Sequence, residues 1–105
     1  MPGRYKIFWA SSALNQLDEI YDFIAEISPV IAKRVTQGLE KKAKSLKNSP
    51  FIGQEETLLK EFGFQHRYLV YSNYKIIYLV VEYSIYIVAI IDTRSDPEFL
   101  VKKVL

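Results

Sequence analysis

The chain is predicted to be α+β: an antiparallel sheet of about four strands packed on an N-terminal two-helix hairpin. The element order is β-α-α-β-β-β, with room for a short C-terminal helix. Three observations carry this. From Ile76 to Ile91 every residue except Glu82 and Ser84 is apolar or aromatic, and nine are Ile or Val, residues that fit a pleated strand. Upstream, two apolar stripes recur at spacings of three and four, the period of amphipathic helices. Ser28-Pro29 separates them with almost no loop, so the helices should form an antiparallel hairpin.

Each element has its own signal. Tyr5–Trp9 reads as a short strand, and Ser11 or Ser12 is placed to cap the helix that follows. Leu14, Leu17, Ile20, Tyr21, Ile24 and Ile27 form its apolar stripe. Ser28 caps the second helix and Pro29 suits its first position, where a missing N–H costs nothing. Ala32, Val35, Leu39, Ala43 and Leu46 are its stripe, and Asn48-Ser49-Pro50 ends it. Phe51 to Gly63 is a connector. Arg67–Tyr71, Lys75–Val81 and Ile85–Ile91 then form a meander. Ser72-Asn73 turns between the first two, since Asn tolerates positive φ, and Glu82-Tyr83-Ser84 turns between the last two. Asp92–Asp96 is a polar exit, and Pro97 can open a last helix through Val101.

At 105 residues this is one domain, spanning 1–105. The absence of cysteine rules out a disulfide framework and thiolate metal sites. No metal-ligand cluster, phosphate-binding glycine loop or nucleophile motif stands out, so no cofactor and no metal are expected. The N-terminus lacks a signal-like apolar segment. The Ile76–Ile91 run is too short for a membrane helix and carries Glu82. A cytoplasmic protein with no membrane partner is expected.

Charge is unevenly spread. Ser11–Ile27 carries −4 and Ser28–Asn48 carries +5, which fits two solvated helices that attract each other, or a basic surface for phosphates or an acidic partner. Apolarity is also uneven. Two helices cover one face of a sheet, yet the last two strands are apolar on both. The opposite face should stay open, and such a patch usually marks a binding surface. Tyr74, Ile76, Tyr78, Tyr86, Val88 and Ile90, with Phe99 beyond, are the expected partner-binding residues. Left uncovered, this face predicts self-association.

The order of elements and several local motifs resemble the RelE/ParE superfamily of type II toxin–antitoxin toxins. The matching pieces are Phe8-Trp9-Ala10-Ser11, the helix with Leu17, Ile20, Tyr21 and Ile24, and the Ser28-Pro29 helix start. Asn48-Ser49-Pro50 with Gly53, Arg67-Tyr68-Leu69, Tyr74-Lys75-Ile76-Ile77-Tyr78, and Ile90-Ile91-Asp92-Thr93-Arg94 with Pro97 complete them. The resemblance covers nearly the whole chain. It implies a protein neutralised by a cognate antitoxin whose extended tail lies across it, in a heteromer or alongside a homo-oligomer. It also implies one of two activities. RelE-like members cut messenger RNA in the ribosomal A site, and ParE-like members poison DNA gyrase.

A ribonuclease of this kind needs cations at the scissile phosphate and a group to move the 2′-OH proton. Arg67, Lys75 and Arg94 are the candidate cations, each at a strand end. Ribonuclease members often carry an arginine where Lys75 stands, and a lysine lacks the guanidinium fork. They also often carry a tyrosine or histidine after the last strand, where this chain has Ser95–Leu100 with Phe99. His66 is the sole histidine. These departures favour the ParE-like activity, with a detoxified, antitoxin-binding member as a further alternative.

Overall fold

The computed structural model describes residues 4–63 and 65–94. Strand β1 (Lys6–Trp9) leads into helices α1 (Ser11–Ala25) and α2 (Pro29–Lys44), which end in a 3-10 turn at Ser45–Lys47. A two-residue strand β2 (Gln54–Glu55) and a second 3-10 segment (Thr57–Phe62) follow. Strands β3 (Arg67–Tyr71), β4 (Tyr74–Val81) and β5 (Ser84–Asp92) close the described chain. The expected order therefore holds, with five strands rather than about four. The additional strand, β2, is too short to leave a period-two signal. Pro97, Phe99 and the expected last helix lie outside the described residues.

The sheet runs β1-β5-β4-β3-β2. The β2–β3–β4–β5 part is antiparallel, while β1 joins β5 in parallel. The helical hairpin is the crossover that a parallel pair requires. Ser28 caps α2 as expected, its Oγ accepting from the Ile31 N–H at 3.2 Å. Serine does not cap α1. Ala10 occupies that position and Ser11 is already helical.

Ser12 has a different task, shared with Gln16 one turn later. Strand β5 outruns β1, whose register stops at Trp9 opposite Ile87. Beyond that point Ser12 Oγ donates to the Val88 carbonyl at 3.1 Å, and Gln16 Oε1 accepts the Ile90 N–H at 2.7 Å. Two polar side chains of α1 thus complete the strand edge where β1 ends, meeting the need to pair buried backbone groups.

The main core lies between the sheet and the hairpin. Ala13 and Leu17 of α1, Leu39 and Ala43 of α2, and Leu46 pack on Ile76, Tyr78, Ile85, Ile87 and Ile90. A smaller cluster on the opposite face joins Leu59 to Ile77, Ala89 and Ile91. The expected fully open face is corrected here: the Thr57–Phe62 segment lays Leu59 across part of it. Phe8 and Tyr86 remain exposed on this face, stacked at 5.5 Å between ring centroids, and Val88 is half-buried.

A bulge decides which strand residues face the helices. Ile77 pairs with Ala89 and Tyr78 with Ile87, so Val88 has no residue opposite it. One extra residue reverses the alternation downstream. Tyr86 and Val88 point away from the helices, but Ile90 points toward them. The two hairpin turns place positive φ at Ser72 and Glu82, both at 54°, so Ser72 rather than Asn73 bears the left-handed conformation.

Candidate functional site

The three expected cations do not converge. Arg67 lies opposite Tyr78, on the helix-facing side, whereas Lys75 lies opposite Val70, three residues further along the ladder and on the other face. Each is engaged within the chain. Arg67 Nη1 donates to the carbonyls of Gly53 at 2.9 Å and Phe51 at 3.3 Å. Lys75 Nζ pairs with Glu56, whose side chain is buried, at 3.2 Å and stands 4.2 Å from the centre of the Tyr68 ring. Arg94 forks onto Asp92 with bonds of 3.0 and 2.7 Å. These bonds, with one from the Arg94 backbone, hold the Asp92 carboxyl below its ordinary pKa. His66 is buried, its carbonyl accepting the Glu56 N–H at 2.8 Å.

The expected partner-binding residues divide. Ile76, Tyr78 and Ile90 lie in the core beneath the hairpin, which corrects their placement on an open face. Tyr74 is half-buried against the same core, where desolvation first and Asp92 second raise its phenol pKa. Tyr86 is exposed and Val88 half-buried on the outer face. Phe99 lies outside the described residues. The alternating pattern placed the six strand residues on one face because it contained no sign of the bulge.

A different concave surface emerges from the fold. A groove of about 750 Å³ runs between β1 and the helical hairpin. Ile7 and Trp9 of β1 with Leu14 and Leu17 of α1 form its apolar floor. Lys41, Lys44 and Lys47 line it beside Gln37, Asp18 and Glu40. Lys41 and Lys44 also occupy the last turn of α2, where the helix dipole favours cations. The basic run was visible in the sequence, but Leu14 looked like part of the core stripe. It is 46% exposed, because the buried side of α1 is Ala13, Gln16 and Leu17.

Beside the groove, β1 is an edge strand of the described sheet. The Lys6 and Ala10 N–H groups point inward, to the carbonyls of Tyr83 and Ile87. Alternation turns the backbone groups of Ile7 and Trp9 outward. An unpaired edge above an apolar floor suits an extended segment, which gains backbone bonds from the edge and side-chain burial from the floor. No group of His, Asp or Glu side chains among the described residues is arranged to hold a metal ion, and none of the described helices is long and apolar enough to cross a membrane.

Comparison with known proteins agrees with this architecture. A structure described as a chromosomal ParDE toxin–antitoxin system from P. aeruginosa superposes with a TM-score of 0.70 at 23% identity. The match covers 85% of this chain and 96% of the other, and shows a shared fold. No curated protein matches the chain. The family described as the ParE toxin of the type II toxin-antitoxin system, parDE, matches residues 7–97. This chain therefore belongs to the ParE toxin family of type II toxin–antitoxin systems.

Proposed function

We propose that this protein arrests growth by inhibiting DNA gyrase, and that a cognate antitoxin silences it by seating a tail in the groove beside β1. The observation that carries the choice between activities is the state of the three cations. Arg67 and Lys75 lie on opposite faces of the sheet, Arg94 lies past the end of β5, and each is bonded to carbonyls or carboxylates of the chain itself. A ribonuclease would need them gathered at one phosphate. The groove supports the antitoxin assignment. Its lysines suit a segment with acids on its polar side.

Growth and nucleic-acid measurements test the proposal together. Induced alone, the chain should stop bacterial growth, and the product of the neighbouring antitoxin gene should restore it. Cleaved DNA held on gyrase and the DNA-damage response should appear while translation continues. Rapid cutting of ribosome-bound messages by the purified protein would instead establish the ribonuclease activity. The exposed Leu14 separates the partner site from the toxic activity. Leu14→Glu should remain toxic and escape rescue, and full rescue of that variant would move the antitoxin off the groove.

A further inference from the structure

The end of the helical hairpin is an apolar surface that neither the core nor the groove uses. Every buried residue of α1 lies between Ala13 and Leu17. Past Ile20, which still packs on the core, the helix has no buried residue. At its tip Ile27 is 89% exposed, Phe23 and Val30 are each 69% exposed, and Ile31 is exposed beside them. Phe23 lies near the end of α1, Ile27 in the connection, and Val30 and Ile31 in the first turn of α2, so the four cluster where the chain reverses. Isolated exposed apolar side chains are ordinary, but a contiguous group rimmed by charge marks a contact surface.

The rim shows what fits. Glu19 and Asp22 of α1, with Glu26 just past its end, flank the patch on one side, and Lys33 and Arg34 of α2 flank it on the other; all five are exposed. The opposite charges of the two helices fit mutual attraction, or a basic surface for phosphates or an acidic partner. Yet among the described residues the ion pairs within 4.0 Å are Lys60–Glu55, Lys75–Glu56 and Arg94–Asp92, and none joins α1 to α2. The tip thus presents an apolar centre with an acidic flank and a basic flank, both unneutralised. A partner of one charge would match half of it. A second copy matches all of it. A two-fold axis running along the hairpin lays α1 of each copy over α2 of the other, so that each acidic flank meets a basic one in a self-complementary contact.

We infer that the hairpin tips of two copies pair face to face about such an axis, in a weak dimer. Four apolar side chains per copy place this contact at the low end of specific interfaces, under about 1,200 Å² in total. It should therefore form at high micromolar rather than nanomolar concentration and weaken with salt. It leaves β1 and its groove free, so it does not depend on the activity proposed above.

Sedimentation of the purified full chain over a wide concentration range tests this. The native chain should pass from monomer to dimer. Ile27→Glu and Val30→Glu, both at exposed positions, should each weaken the dimer about tenfold or more. Tyr86→Glu, on the exposed part of the sheet, should leave it unchanged. Two charge-reversed chains give the sharper result. One carries Glu19→Lys, Asp22→Lys and Glu26→Lys, and the other Lys33→Glu and Arg34→Glu. Each alone should stay monomeric, and an equimolar mixture should dimerise. A native chain that stays monomeric throughout would overturn the inference. So would a dimer that survives Ile27→Glu but is lost in Tyr86→Glu, or reversed chains that fail to pair when mixed.

Discussion

Tyr78 and Arg67 together hold one residue of the connector from both sides. The Tyr78 hydroxyl accepts the Gly53 N–H at 2.9 Å, and Arg67 donates to the Gly53 carbonyl at the same distance. Burial raises the Tyr78 phenol pKa, against smaller opposing effects of the Gly53 N–H and Arg67, so the ring stays neutral. Gly53 leaves no room for a side chain, since a Cβ there would stand 2.6 Å from the Tyr78 hydroxyl and 2.7 Å from the Tyr68 carbonyl. Tyr78→Phe would orphan a buried N–H, which costs about 1–3 kcal/mol. The urea midpoint should fall accordingly with an unchanged slope, and an unchanged midpoint would mean that water replaces the hydroxyl. Neither role was legible in the sequence. Arg67 looked like a phosphate ligand because the carbonyls it binds lie 14 and 16 residues upstream. Tyr78 looked like a surface residue because alternation reports two faces without saying which is covered.

Helices α1 and α2 were legible because their apolar spacing, and the Ser28-Pro29 start, are local signals. What they pack against was not. Gly38 stands in the interior of α2, where glycine costs about 1 kcal/mol relative to alanine. Its reason is Tyr71 of β3: a Cβ at position 38 would overlap the Tyr71 hydroxyl and ring. Gly38→Ala should therefore destabilise the chain by about 1–3 kcal/mol, the usual cost of overpacking. In a Tyr71→Ala background the same change should instead stabilise by about 1 kcal/mol, from helix propensity alone. A double-mutant cycle measures this reversal, and additive effects would show that the two residues do not interfere. The bulge at Val88 was invisible for a related reason. It sits in a run so apolar that the break in alternation has no polar residue to mark it. Ser11 and Ser12 carry the local signature of a cap, whereas the partner of Ser12, the Val88 carbonyl, is 76 residues away.

Over the whole molecule, the chain's uneven composition was legible and its geometry was not. The sequence called for cover on both sheet faces, and the Thr57–Phe62 segment supplies part of it through Leu59. It also showed a basic second helix, but not that Lys41, Lys44 and Lys47 border a groove floored by β1 and α1. Strand β1 is four residues long and turns the backbone of Ile7 and Trp9 to its free side, so an added strand meets very few donors and acceptors. Most of an antitoxin's hold should come from the groove. Deleting the part of its tail that pairs with β1 should speed dissociation less than deleting the part that lies against Leu14 and Leu17. The opposite ranking in a dissociation-rate measurement would assign the hold to the strand edge. An edge this short behaves as a clip rather than a zipper. A protease trimming the tail from its strand end would undo the clip and leave the tail seated. In the seating proposed above, release would then proceed in two stages with separate rates.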